Sequence, residues 1–287
     1  MSDIVVRPPK EDEKQEFYAV LQSGVPDVDK MSFDAFSRRW NRCTVNGTRK
    51  KLWKVALSDE KILGVAINLH LSNLGWGAIQ ELAVLPDWRE KGIGRLLVEE
   101  SEKAFLDVST ALSHFAIALK THSTDALEFV ENLGYGIHSL VLRLKGPSSI
   151  THADSGLEYG IARLDHIPLI THLTPDTYWG NRSNQTWEYT IRGGNCHVLS
   201  LPESNVLVGF SQVYPTSDFK DSTTISFSYR RGYGTEVIQS ILDTIQTGSA
   251  VFWIQDNNET ILDFLYAHGY RRIEGEFLAK KRVKQLD

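Results

Sequence analysis

The chain is poor in the residues that staple small domains or hold metals. Its 287 residues include two cysteines, Cys43 and Cys196, far apart and outside any CxxC spacing. That excludes a disulfide framework and a thiolate zinc site. The nine histidines form no HxxxH or HxH pair, so no metal is expected. Basic charge is not in excess either. A formal net charge of -5 argues against nucleic acid or an anionic membrane as a general partner, while leaving room for a local basic pocket. No apolar run approaches the roughly 20 residues that span a bilayer. Met-Ser-Asp leads directly into Ile4-Val5-Val6 without a basic start and a long apolar stretch, so the cytoplasm is the expected compartment. Hydrophobic content of 41% and charged content of 23% are those of a folded globular chain, with length for one large domain or two ordinary ones.

Apolar periodicity divides the chain into strands and helices. Residues 4–7 predict a strand, 10–22 a helix, and Ser32 caps a second helix carrying Phe33, Phe36 and Trp40 on one face. Residues 52–57 and 62–71 predict a hairpin about a polar turn, and 76–85 a long strand ended by Pro86. A helix over 92–105, a strand over 115–119, a helix over 125–133 closed by Gly134 and, over 135–144, a strand pair or one bent strand follow. The stretch 145–156, rich in Gly, Pro and Ser, predicts a linker. Beyond it the order repeats: strands over 157–164, 186–191, 196–201, 206–213 and 223–229, a turn at 230–234, a helix over 237–245, a strand over 250–254, a helix over 258–267 and a strand over 271–281. Gly209 lies 145 positions after Gly64, Gly232 lies 140 after Gly92, and Gly269 lies 135 after Gly134. A nearly constant offset through the same succession of elements implies a duplicated α/β unit, divided as 1–147 and 148–287.

One stretch carries chemistry. Residues 80–97 predict a strand that runs into a turn, Arg89-Glu90-Lys91-Gly92-Ile93-Gly94, which opens a helix. Two glycines one residue apart let backbone approach a ligand closely. The first N–H groups of a helix have no internal partner, and the macrodipole adds roughly +0.5 charge there. Together with Arg89, Lys91 and Arg95 this suits a pyrophosphate. Leu97 stands where a dinucleotide fingerprint needs its third glycine, and no Gly-Lys-Ser/Thr of a triphosphate loop is present. A tight strand-to-helix turn with no ligand would use the same two glycines.

Val84-x-Pro86-x-x-Arg89-x-x-Gly92-x-Gly94 resembles the acyl-CoA-binding motif of the GNAT superfamily of N-acetyltransferases, and Leu133-Gly134-Tyr135 resembles its closing motif. The second half is similar to the same family more faintly, through Arg230-Arg-Gly232-Tyr-Gly234 and His268-Gly269-Tyr270. The resemblance implies two tandem α/β (α+β) domains, each a mixed twisted sheet flanked by helices, with the second a degenerate copy. It implies acetyl-CoA as co-substrate and a small-molecule or peptide amine as acceptor. The pantetheine arm would lie along the backbone of Leu82, Ala83 and Val84. The pyrophosphate would sit on the turn and first helical residues, Arg89, Glu90, Lys91, Gly92, Ile93, Gly94, Arg95 and Leu96. Ser123 stands where many relatives place an Asn that contacts CoA.

The acid–base residues are less defined. Glu81 is the carboxylate on the strand before the turn and the candidate base, although the family's active-site face often falls at Gln80. The tyrosine that usually protonates the thiolate is replaced by Val130 in the first half and Leu265 in the second. That absence keeps open a non-catalytic acyl-CoA-binding or interaction protein with this fold. Without a Val-x-Pro lead, the second half is expected to keep its strands paired and its cleft filled by its own side chains, so that one CoA binds per chain. An independently active second domain is the alternative.

Overall fold

The computed structural model describes residues 3–23, 31–45, 47–150, 154–174, 184–215 and 221–283. The first half runs β1 (Val5–Arg7), α1 (Lys14–Ser23), α2 (Phe33–Val45), α3 (Thr48–Leu52), β2 (Lys54–Ser58), β3 (Lys61–Leu71), β4 (Trp76–Val84), α4 (Ile93–Val108), β5 (His114–Lys120), α5 (Thr124–Glu131) and β6 (Gly136–Pro147). The second half runs β7 (Glu158–Ile161), α6 (Ile167–Leu173), α7 (Asn184–Arg192), β8 (Cys196–Ser200), β9 (Leu207–Pro215), β10 (Ser222–Tyr229), α8 (Gly234–Leu242), β11 (Ser249–Gln255), α9 (Glu259–Ala267) and β12 (Arg271–Arg282).

Among the described residues, all twelve strands join one sheet, in the order β1-β2-β3-β4-β5-β12-β6-β11-β10-β9-β8-β7. The two closing strands are exchanged. β12, from the second half, lies between β5 and β6, while β6 pairs with β12 and with β11. Glu276 of β12 stands opposite Lys120 of β5 on one side and Val141 of β6 on the other; Val141 in turn stands opposite Gln255 of β11. The halves are therefore related by an approximate two-fold axis through the sheet at the Glu276/Val141 pair. The exchange also corrects the linker. Lys145, Gly146 and Pro147 belong to β6, because β11 and β12 pair with them; of the rest of that stretch, 151–153 lie outside the described residues.

The duplicated glycines explain themselves in packing. A Cβ on Gly64 would lie 2.9 Å from Leu97 of α4, and one on Gly209 would lie 2.5 Å from Val237 of α8. Each half thus presses the helix after its turn onto the sheet at a residue with no side chain. Residues 186–191 form part of helix α7 rather than a strand. Thr, Trp, Tyr and Ile favour strands in isolation, but the buried residues of this stretch are Trp187, Thr190 and Ile191, a helical spacing. Gly194, with φ at 75°, then ends the helix instead of turning a hairpin.

The two faces of the sheet are distinct. Asn68 of β3 donates to Ser101 of α4 at 2.7 Å, placing α4 over Asn68 and its cross-strand partner Ile79. Ile67 and its partner Glu81 point to the opposite face, where Arg39 of α2 pairs with Glu81. From the second half, α7 lies on that same face: its Trp187 packs edge-on against Phe210, 5.0 Å between centroids, whose neighbour Gly209 faces α8.

Candidate active site

β4 and β5 run parallel and pair from Trp76/His114 to Ile79/Ile117, then part. A bulge at Gln80 accompanies the parting, because consecutive Ile67 and Asn68 on β3 pair with Glu81 and Ile79. Past the bulge, the Leu85 N–H bonds the Leu63 carbonyl at 2.8 Å, so Leu85 faces β3. By antiparallel alternation the backbone groups of Ala83 also serve β3, and those of Leu82 and Val84 face the open split. Of the three residues that the resemblance assigns to the pantetheine arm, two turn their backbone groups to the split, although the Val84 carbonyl accepts from Arg89 Nε at 3.3 Å.

At the mouth of the split lies the turn. Pro86–Trp88 form a single 3-10 turn, after which Glu90 and Gly92 both take left-handed backbone, φ 61° and 81°. A non-glycine residue held there marks a conformation imposed by its surroundings. The first helical bond of α4 runs from the Leu96 N–H to the Gly92 carbonyl, 3.0 Å. The N–H groups of Ile93, Gly94 and Arg95 therefore precede any intrahelical acceptor and remain available, whereas that of Leu96 is used. A Cβ built on Gly92 would meet nothing within 4 Å, so the turn opens onto free space. Arg89 donates from Nε to the Val84 carbonyl at 3.3 Å, and the Lys91 ammonium lies 4.8 Å from the Trp88 ring centre. Arg95 is exposed and lies 4.0 Å from Glu99, and Ser123 caps α5 with no side-chain bond to the helix. No acid occurs in the first turn of α4. These groups fit a pyrophosphate: free donors, local cations, and no carboxylate among the first helical residues.

The second half corrects one expectation. β10 and β11 do not stay paired; they part after Ile225/Phe252, as β4 and β5 do after Ile79/Ile117. A proline is thus not needed to open the split, since four parallel pairs precede it in each half. What differs is the filling. Tyr229 stands where Val84 stands in the first half, opposite Gly209 as Val84 is opposite Gly64. Its hydroxyl donates to Asn258 Oδ1 at 2.9 Å and accepts from Asn258 Nδ2 at 2.6 Å, bridging the strand to the start of α9. The turn is also shorter. Seven positions separate Leu85 from Gly92, but two separate Arg230 from Gly232, although Arg230 makes the same bond to β9 that Leu85 makes to β3. Finally, α8 carries Glu236 in its first turn, a charge that opposes an anion there. A cavity of about 500 Å³ remains beside this turn, lined by His172, Leu173, Tyr229, Arg230, Arg231 and Tyr233.

Glu81 does not stand alone. Arg39 ion-pairs with it and also donates to the Gln80 side chain, with its guanidinium 5.8 Å from the Trp53 ring centre. Arg39 was not visible as a site residue in the sequence, where it is one of three arginines on a helix. Val130 and Leu265, in the position of the family's tyrosine, are fully buried. Tyr135 and Tyr270 pack as expected of core residues. Burial and the neighbouring Glu102 carboxylate push the Tyr135 phenol up, and its hydroxyl donates to Glu102 at 2.9 Å. Among the described residues no group of three or more His, Cys, Asp or Glu side chains is placed to hold a metal, and no helix is long and apolar enough to cross a membrane.

Residues 49–137 match the family model of the acetyltransferase (GNAT) domain. No curated protein matches the chain. Among solved structures, a GCN5-related N-acetyltransferase from Sphaerobacter thermophilus superposes with a TM-score of 0.69 at 15% identity, over 97% of this chain and 95% of that one. A tandem GNAT protein from the clavulanic acid biosynthesis pathway gives 0.67 at 11%, over 99% and 100%. A glucosamine N-acetyltransferase region of a fungal multi-domain β-N-acetylglucosaminidase gives 0.70 at 15%, over 98% of this chain and 38% of that one. Within the first half, residues 49–137 are thus similar to a GNAT acetyltransferase domain, and the whole length has the fold of a tandem GNAT protein.

Proposed function

We propose that this protein transfers an acetyl group from acetyl-CoA to a primary amine of a small molecule or peptide, with residues 1–147 holding acetyl-CoA and 148–287 a degenerate partner. The observation that carries this reading is the contrast between the two splits. The first is open, with the Leu82 backbone groups and the Val84 N–H facing the split and free helix N–H groups at the Gly92 turn. The second is bridged by Tyr229 and Asn258. Arg89, Lys91 and Arg95 supply cations for the pyrophosphate, and Ser123 can donate a hydrogen bond across the split. Acetyl-CoA brings an activated thioester. The protein's part is to strip the acceptor of its proton and to hold it at the split.

Glu81 is the carboxylate we assign to the proton. It lies directly past the bulge and on the face away from α4, so an acceptor reaching the split from that face meets it. Arg39 fixes its position. Buried Val130 in place of the usual tyrosine favours a second reading, an acyl-CoA-binding protein without turnover. Thiol release from acetyl-CoA against a panel of amines separates the two. Under the transferase reading at least one primary amine gives turnover, and Glu81→Gln lowers kcat about 100-fold while leaving acetyl-CoA affinity unchanged. Binding of acetyl-CoA with no amine accepted would establish the second reading instead.

A further inference from the structure

On the face that carries Glu81, a row of charged side chains crosses the middle of the sheet, starting at the split. Lys120 of β5 lies 3.0 Å from Glu276 and ion-pairs with Glu274, both of β12. Arg143 of β6 lies 3.3 Å from Glu274. Both cations approach the ring of Trp253 on β11, at 6.0 Å for Lys120 and 5.3 Å for Arg143. Burial opposes the charge on Lys120, but the carboxylates of Glu276 and Glu274 outweigh it and hold the ammonium above its ordinary value.

The duplication supplies an internal control for this row. The pairings Lys120/Glu276, Glu276/Val141 and Val141/Gln255 set Lys120 against Gln255 and Glu276 against Val141 across the two-fold axis. By the same registers Glu274 corresponds to Ser139 and Arg143 to Leu278. All four charged positions have neutral residues at their two-fold-related places. The two-fold-related positions of the same exchange thus carry Gln, Val, Ser and Leu in place of the charges. Three of the charged residues, Lys120, Glu274 and Glu276, lie on β5 and β12 beside the open split, and Arg143 meets them from β6.

We infer that Glu276, delivered by the second half on the exchanged strand, binds the ammonium group of the acceptor beside the first half's split. This rests on the acyl-transfer reading and names its acceptor subsite. A primary amine arrives as a cation and needs a carboxylate to hold it before its proton is removed. Glu274 is shared between Lys120 and Arg143, with 9% of its side chain exposed, and so is closed to a further cation from solvent. Glu276 is met by Lys120 through Oε1, and with 20% of its side chain exposed it has room for a second cation. Lys120 keeps Glu274 as a partner when Glu276 turns to the acceptor. Glu276 lies one strand spacing, about 4.8 Å, behind the strand that lines the split. From above, α2 and α7 converge over this face, with the Arg42 guanidinium 5.8 Å from the Tyr189 ring centre, so both halves enclose the acceptor.

The test uses the full chain carrying Glu276→Gln, which preserves shape. Thiol release is followed with n-butylamine, 1,4-diaminobutane, glucosamine and a lysine-containing tetrapeptide, and the amine turned over fastest by the unaltered protein is kept. The expected result is a rise in KM for that amine of about tenfold or more, with a smaller change in kcat and an unchanged Kd for acetyl-CoA. A lowered melting temperature with unchanged KM would assign Glu276 to the sheet alone and overturn the inference. If acetyl-CoA binds but none of these amines is accepted, the transferase reading fails and the acceptor subsite fails with it.

Discussion

Gly92→Leu is expected to weaken acetyl-CoA binding by about 100-fold or more. The residue lies in left-handed backbone, φ 81°, at the cap of α4, and a Cβ there would meet no protein atom within 4 Å. A leucine would not clash with the fold. It would pay a backbone strain of about 1–2 kcal/mol and project into the space that the Ile93, Gly94 and Arg95 N–H groups face. Displacing a phosphate from two such donors forfeits charge-assisted hydrogen bonds of about 1.5–3 kcal/mol each. Gly232→Leu is the matched control. Gly232 has φ 92° and equally open surroundings, so its backbone strain is the same. Calorimetric titration should show binding lost in the first variant and kept in the second. Equal loss in both would trace the effect to strain and not to the site.

A chain ending after Tyr270 is expected not to fold cooperatively. It lacks β12, which fills the place between β5 and β6 and pairs with each along nearly its whole length. Leu278 and Ala279 are buried, at 1% exposure each. Removal exposes two strand edges in the middle of the sheet and leaves the β6–β11 ladder as the strand pairing that joins the halves, against a total stability of about 5–15 kcal/mol for an ordinary domain. For the same reason residues 1–147 alone are expected to lack a stable fold, because their sheet is completed from the other half. Thermal melts followed by near-ultraviolet circular dichroism check both. A sharp transition in either fragment would show that the exchanged strand is dispensable.

The exchange was not legible in the sequence, and the reason is physical. Residues 135–144 and 271–281 both read as closing strands, and alternation along a strand says which face a residue takes but not which neighbour it pairs with. The charged row shares that blindness: Glu274 and Glu276 look like solvated strand positions until β5 and β6 are placed beside them. The turn was legible because its signals are local. Gly92, Gly94 and the helix that follows act within a few residues, and the structure forms the strand, turn and helix at that point. Arg39 could not be assigned to the site because its partners Gln80 and Glu81 lie over forty positions away. The fate of the second split depended on a similar long-range contact. Tyr229 was visible as a residue, but its bridge across the split needs Asn258, 29 positions on. The strand misread at 186–191 shows local propensity overruled by burial, since Trp187, Thr190 and Ile191 can share one buried face only as a helix.

The central claim is that one half of a duplicated chain holds acetyl-CoA and the other has closed its corresponding split. Counting the sites by equilibrium titration of the full chain with acetyl-CoA tests this directly. The expected result is one site per chain, abolished by Gly92→Leu and untouched by Gly232→Leu. Two equivalent sites, or a single site that survives Gly92→Leu and disappears with Gly232→Leu, would contradict it.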